Sequence, residues 1–121
     1  MTTIWEVTAD ALDGLGVPVA ANIYIPATNE AYPDTYLVYQ LISSPPLLHA
    51  DNFEEMRYYR MQVTAFSRDG LAGLPDVSAA MVAVGFTRGP MREIPYDLET
   101  RHFGLVMEFV YTSDSVEPES Y

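Results

Sequence analysis

The chain has 121 residues, of which 49% are apolar, enough for a single folded domain with a hydrophobic core. It has no cysteine, which excludes disulfides, zinc fingers, iron–sulfur clusters and thiolate nucleophiles. Its 17 carboxylates outnumber its six basic residues, all arginine, and the net charge of −11 disfavours binding to nucleic-acid phosphates.

No segment is typical of a signal peptide or a membrane span. The first residues lack a basic region, and Glu6, Asp10 and Asp13 interrupt any apolar stretch. The longest stretches without charge, 14–29 and 35–50, contain proline, asparagine, glutamine and serine, unlike a span of ~20 apolar residues. We therefore expect a soluble chain.

The first element is predicted to be an amphipathic helix over 3–15. Thr3 and Glu6 form a capping box, in which a hydroxyl and a carboxylate each accept from a free backbone N–H. Apolar residues then recur at helical spacing, and glycines followed by Pro18 end the helix.

Three strands are predicted to follow. The first is short, over 19–25. The second, over 36–43, is apolar on both faces, which is typical of a central strand or of one covered by a neighbouring subunit. Residues 56–66 alternate between an apolar and a polar face, so we expect this strand to pair antiparallel with 36–43, with the loop 44–55 at the tip.

The second half of the chain is predicted to hold one helix and two strands. The helix spans 74–84, with Pro75 at its first position. A strand over 86–94 contains Gly89-Pro90, which favours an edge position or a bulge. The last strand, over 102–111, alternates again, and residues 113–121 form an acidic tail that we expect to be mobile.

These elements predict one α+β domain over residues 1–112. Its sheet is mainly antiparallel, two helices pack on one face, and a long loop joins two central strands. The other face of the sheet is not fully polar, which indicates self-association.

The loop 44–55 and the start of the strand after it carry the candidate site residues. A long loop in a compact domain is more often functional than idle. His49 with Asp51, Glu54 and Glu55 has the donor types of a divalent-metal or acid–base site, but a single histidine on one loop lacks a rigid second shell. We therefore interpret the segment as a contact surface, made of Pro45, Pro46, Leu47, Leu48, His49, Asp51, Phe53, Glu54, Glu55, Arg57, Tyr58 and Arg60.

The other candidate catalytic residues are supported by even weaker sequence signals. Ser43 or Ser44 with His49 would offer a nucleophile and a base, but no nucleophile-elbow motif surrounds either serine. His102 is expected to be a surface histidine on a polar strand face. No glycine-rich phosphate loop is present, so we predict neither a catalytic site nor a cofactor or metal.

Arginines and tyrosines are the remaining contact candidates. Arg57 and Arg60 lie near acids of the loop, and Arg88 and Arg92 lie near Glu93, so each has a candidate carboxylate partner. Nine tyrosines exceed the needs of a small core, and they indicate either an interface or strands with two covered faces.

The order of these elements resembles the tail terminator, or tail-to-head joining, proteins of long-tailed bacteriophages and prophages, over roughly residues 3–111. The resemblance rests on the strand 36–43 followed by Pro45 and Pro46, on the segment 56–67 with the short helix after it, and on the segment 93–111. The helix after Gly70 is shorter than the family pattern, and the tail 113–121 lies outside the resemblance.

The resemblance implies a structural role without catalysis. Six copies would form a ring in the virion, at the head-proximal end of the tail, assembled in the cytoplasm of the host bacterium. The ring would cap the tail tube, stop its elongation and dock onto the head connector or stopper protein, while DNA passes through its lumen without specific binding. The loop 44–55 would contact a neighbouring ring or line the channel.

Three other functions stay open from the sequence. A stopper or tail-tube subunit is a closely related ring protein. An acidic DNA mimic would agree with the net charge, although the acids do not follow one long helix face. A small hydrolase would have to use His49.

Overall fold

A computed structural model describes residues 3–26, 31–43 and 57–113 of the chain. Its elements are helix α1 (Ile4–Asp13), strands β1 (Val19–Ala21), β2 (Thr35–Ser43) and β3 (Arg57–Ser67), helix α2 (Val77–Ala83), and strands β4 (Thr87–Asp97) and β5 (His102–Ser113). A single 3-10 turn at Leu71–Gly73 precedes α2. The predicted order of one helix, three strands, one helix and two strands is confirmed.

The five strands form one sheet in the order β1-β2-β3-β5-β4. β1 pairs with β2 in parallel, and every other neighbouring pair is antiparallel. The predicted α+β class and the antiparallel pairing of β2 with β3 are therefore confirmed. The loop 44–55, predicted at the tip of that pair, lies outside the described residues.

Both helices pack on one face of the sheet, as predicted. Strand alternation directs every second side chain of β2, β3 and β5 to this face, where α1 and α2 also contribute side chains. The buried apolar core comprises Ile4, Leu12, Leu37, Tyr39, Tyr59, Met61, Val63, Ala65, Val77, Met81, Phe86, Met107 and Phe109. The opposite face carries no helix among the described residues.

Side-chain caps determine where the two helices begin. At α1 the hydroxyl of Thr3 accepts from the N–H of Glu6, and the carboxylate of Glu6 accepts from the N–H of Thr3, which confirms the capping box. The prediction that α2 begins at Pro75 is wrong. Its N-cap is Asp76, whose carboxylate accepts from the N–H of Ala79, so the helix starts at Val77.

The two outer strands differ from the sequence-based ranges. β1 ends at Ala21 instead of residue 25, because Asn22 adopts a left-handed backbone with φ 66°. β4 is an edge strand with a register shift between Arg88 and Met91, as its Gly-Pro pair predicted. β5 continues to Ser113, one residue beyond the predicted domain end, and the rest of the acidic tail lies outside the described residues.

Neither described helix has the length and apolar character required to cross a bilayer.

Candidate functional site

Most of the predicted contact surface falls outside the described residues, namely Pro45, Pro46, Leu47, Leu48, His49, Asp51, Phe53, Glu54 and Glu55. Arg57 and Tyr58 begin β3, where they pair with Ser113 and Thr112 of β5. Arg60 lies on the helix-free face of the sheet. Its guanidinium forms an ion pair with Glu108 of β5 at 3.7 Å, a partner that the sequence analysis did not identify.

An aromatic cluster covers one end of the helix-free face. Tyr36 and Phe66 are directly opposite in the β2–β3 register, and their rings stack with centroids 4.7 Å apart. Tyr24 and Tyr32, on either side of residues 27–30, lie 4.9 Å and 5.6 Å from the Tyr36 ring. The cluster fixes the chain after β1 onto the sheet, so these tyrosines serve packing within the monomer.

His102 is part of this cluster, and the prediction of a surface histidine is wrong. The side chain is 1% exposed, and its Nε2–H donates to the carbonyl oxygen of Pro33 at 2.8 Å. Its ring meets the ring of Tyr36 edge-on at 5.1 Å. Residues 31–34 fold over the polar face of β5 and bury the imidazole, which no pattern local to His102 indicates.

Arg68 holds the same segment from the end of β3. Its Nη1 donates to the carbonyl oxygen of Tyr32 at 2.9 Å and to the carboxylate of Asp34 at 3.0 Å. Its Nε donates to the carbonyl oxygen of Thr100, in the β4–β5 turn, at 2.9 Å. One guanidinium therefore ties three parts of the chain together, which suits its fixed array of donors.

A cleft of about 240 Å³ opens beside the aromatic cluster. Aromatic rings and neutral hydrogen-bonding side chains line it: Asn22, Ile23, Tyr24, Tyr32, Tyr36, Val38, Gln40, Gln62, Thr64 and Phe66. Burial raises the pKa of the Tyr36 hydroxyl to about 12, so this group stays protonated near neutral pH. The side chains in the lining therefore offer ring contacts and hydrogen bonding.

A second, open cleft of about 350 Å³ lies at the opposite edge of the sheet, between β4 and the start of α2. The side chains of Met91, Leu105 and Met107 come from the strands, and Leu71 and Leu74 come from the chain before the helix. The carboxylate of Asp76, which also lines it, already caps α2. This cleft is therefore mainly an apolar surface.

No group of three or more histidine, aspartate or glutamate side chains within 3–26, 31–43 and 57–113 is arranged to hold a metal ion. His49 and its neighbouring acids lie outside these ranges.

Exposed large apolar side chains gather at the two outer edges of the sheet. Ile23 and Ile25, just after β1, are 65% and 77% exposed. At the other edge and its adjoining turn, Met91, Tyr96, Leu98 and Phe103 are each at least 40% exposed. Ile42 and Val82 are the other exposed large apolar side chains in the described part of the chain. Six of the eight exposed large apolar side chains thus lie at an outer edge or in the segment next to it.

Helix α1 and strand β4 differ in the charged side chains that they expose. The three acids of α1, Glu6, Asp10 and Asp13, are all exposed, and this helix has no basic residue. On β4, Arg88 and Arg92 are exposed and have no ion-pair partner among the described residues. The expected pairing with Glu93 is not formed, since strand alternation directs Arg92 and Glu93 to opposite faces.

Comparison with known proteins does not assign the chain to a family. No protein-family model matches the chain, and no curated protein matches it. The function proposed below therefore rests on the residues and contacts described above and on the resemblance noted from the sequence.

Proposed function

We propose that this protein is a structural virion protein of the tail-terminator type. Six copies associate into a ring that caps the tail tube, stops its elongation and joins it to the head connector. The observation that supports self-association is the exposure of large apolar side chains at both outer edges of one open sheet. A head-to-tail contact between two different edges forms a closed ring when the rotation between neighbouring copies closes.

The clefts support a structural role over a catalytic one. The cleft beside the aromatic cluster is lined by neutral side chains, and its Tyr36 hydroxyl stays protonated. In the edge cleft, the one carboxylate in the lining is engaged as the cap of α2. Neither arrangement combines a nucleophile with a base in the way that hydrolysis requires.

The charge fits a ring through which DNA passes. Six copies carry a net charge of −66, and no lysine is available to bind phosphates. A lumen of this sign repels DNA and lets it slide. Lysine in place of lumen carboxylates would slow DNA ejection, and ejection at an unchanged rate would contradict a role of charge in passage.

The first test is the size and shape of the purified protein. We expect light scattering to give about six copies, and negative-stain images to show a ring with a central hole. Added to growing tail tubes, the ring should stop their elongation at one end. Protein that stays monomeric at high concentration, with and without tube ends, would refute the proposal.

Two related outcomes would change the assignment. Spontaneous long tubes would indicate a tail-tube subunit. A ring that binds the head connector but leaves tube elongation unchanged would indicate a stopper.

An acidic DNA mimic is the second candidate function. The observation that favours it is the shared exposed surface of Glu6, Asp10 and Asp13 on α1. A mimic would remain a monomer or dimer and would compete with DNA for a DNA-binding enzyme or repressor. Competition by monomeric protein would support this function and exclude the ring.

A variant without the loop 44–55 tests the proposed role of this loop in contacts between rings. Replacing it by a short glycine-containing turn should leave a folded ring, because β2 and β3 already pair along their length. The ring should then fail to join heads to tails. Joining at the original rate would contradict the assignment of the loop to contacts between rings.

A further inference from the structure

We propose that the cleft beside the aromatic cluster binds a neutral sugar unit. The side chains of Gln40, Gln62 and Thr64 bind hydroxyls of the sugar, and the rings of Tyr24 and Tyr32 contact its apolar face. All of these side chains belong to one copy of the chain. The inference therefore goes beyond the proposed function and does not depend on the ring.

Polar side chains with unused hydrogen-bonding capacity line the cleft. Gln40 and Gln62 each carry a carboxamide with two donors and an acceptor, and Thr64 adds a hydroxyl. None of these three side chains forms a hydrogen bond with another residue of the described chain. Within that part of the chain, the one buried side-chain nitrogen or oxygen without a partner is Nδ1 of His102, so the polar atoms of the cleft stay accessible. A ligand can use them without breaking a bond inside the protein.

The strand register brings these polar groups together. Gln40 is directly opposite Gln62 in the β2–β3 register, and Val38 and Thr64 form the next pair on the same face. Side chains opposite each other have Cβ atoms about 4.5–5.5 Å apart, and diagonal neighbours lie about 7–8 Å apart. The two carboxamides and the hydroxyl therefore reach one small ligand. A carboxamide has a donor and an acceptor side by side, which suits two neighbouring hydroxyls of a sugar ring.

Aromatic surface borders the polar groups on one side. Tyr36 and Phe66 form the pair that follows on this face, and their stacked rings are the inner part of the cluster. Tyr24 and Tyr32 are only partly buried and line the cleft, so each leaves ring surface open to a ligand. The C–H groups of a sugar can pack on these rings and remove apolar surface from water.

The lining excludes charged and fully apolar ligands. It contains no arginine, histidine or carboxylate. An anion would find no cation in the cleft, and the net charge of −11 would repel it. A cation would find no carboxylate, and an apolar molecule would take water from the carboxamides without replacing its hydrogen bonds. A neutral ligand with hydroxyls and an apolar face is favoured.

Size and backbone pairing disfavour other neutral ligands. The volume of about 240 Å³ is below the ~300–1,000 Å³ of sites for drug-sized molecules, which suits one sugar ring. An extended peptide is recognised through unpaired backbone groups at a sheet edge, whereas Gln62 and Thr64 lie on β3, which pairs with both β2 and β5. A nucleotide could stack on the rings, but the acidic chain repels its phosphates.

The first test is binding of simple sugars to the intact protein, measured by saturation-transfer difference NMR and by calorimetric titration. The probes are the methyl glycosides of glucose, galactose, mannose and N-acetylglucosamine, with glucuronic acid as a charged counterpart and adenosine as a nucleoside. We expect saturable binding of at least one glycoside and at least about tenfold weaker binding of glucuronic acid. Absence of binding by all four glycosides would overturn the proposal, and so would binding of adenosine alone.

Thr64→Val and Thr112→Val form a matched pair of variants. Each removes one hydroxyl from the helix-free face and keeps the shape of the side chain, but Thr112 is exposed near the end of β5 and does not line the cleft. Thr64→Val should weaken glycoside binding by about three- to tenfold, the value of one hydrogen bond. Thr112→Val should bind as the wild type does. Equal affinities of the two variants would contradict the role of Thr64.

Gln62→Leu should weaken glycoside binding at least about tenfold, because a whole carboxamide is replaced by an apolar side chain of similar size. At Tyr24, Tyr24→Phe keeps the ring and should bind, whereas Tyr24→Leu removes it and should bind several-fold more weakly. Unchanged affinity in both Gln62→Leu and Tyr24→Leu would overturn the site. Far-UV circular dichroism and urea unfolding of each variant, compared with Thr112→Val, exclude loss of the fold as the cause of weaker binding.

Discussion

The Nε2–H of His102 donates to the carbonyl oxygen of Pro33, 69 residues away in the sequence, at 2.8 Å. This hydrogen bond joins the start of β5 to the segment that covers the helix-free face. The imidazole also lies edge-on to Tyr36, at the centre of the aromatic cluster. Together with the hydrogen bonds from Arg68 to Tyr32 and Asp34, this contact and the rings around it hold the segment on the sheet.

Replacing His102 by leucine should destabilise the fold by about 1–3 kcal/mol, because the Pro33 carbonyl loses its donor. His102→Gln keeps a donor on a side chain of similar reach and should lose less. Urea unfolding at one fixed protein concentration measures both, since assembly makes stability depend on concentration. Equal losses for the two variants would show that packing, and not the hydrogen bond, determines the effect.

Arg68→Lys should cost about 1–2 kcal/mol although it preserves the charge. A single ammonium cannot reproduce the planar set of donors that reaches Tyr32, Asp34 and Thr100 together. Arg101→Lys is the matched control on an exposed arginine and should change stability by less than about 0.5 kcal/mol. A loss as large in the control as in Arg68→Lys would mean that the three hydrogen bonds carry little energy.

Gly104→Ala should destabilise the sheet, because a Cβ at this position would overlap the Ile94 side chain of the neighbouring strand. We expect a loss of about 1–3 kcal/mol, typical of overpacking. Shortening the neighbour relieves the overlap, so Gly104→Ala should cost at least about 1 kcal/mol less in an Ile94→Ala background. The double-mutant cycle is measured by urea unfolding, and strictly additive losses would contradict the overlap.

The pH dependence of stability should show the burial of Tyr36. Its pKa is about 12 in the folded chain against 10.0 for an ordinary tyrosine, so the folded state holds the proton more tightly. Stability from this group is complete below pH 10 and is lost as the pH rises from 10 to about 12. Tyr36→Phe should lose less stability over this interval in urea unfolding, and an unchanged slope would contradict the assignment.

Local sequence patterns predicted those features of the fold that depend on residues close together in the chain. The Thr3–Glu6 capping box started α1, and the alternation over 59–65 identified the buried face of β3, because caps and strand periods act over a few residues. The start of α2 was missed by two residues, since both Pro75 and Asp76 are good initiators and only the observed cap distinguishes them.

The contact surfaces were less predictable than the elements. Nothing local to Ala21 or Met91 indicates that they lie at one level on opposite edges, because that alignment passes through four strand pairings. The surplus of tyrosines did indicate contacts, but those of Tyr24, Tyr32 and Tyr36 lie within the monomer.

The amino-acid sequence was enough to predict the order of helices and strands and the class of the fold, because caps and hydrophobic periods are properties of short segments. The packed chain was needed to show that His102 is buried, that β1 joins the sheet in parallel, and that apolar side chains are exposed at both sheet edges. Those features depend on which distant segments cover or pair with one another, and that is fixed by the packing of the whole chain.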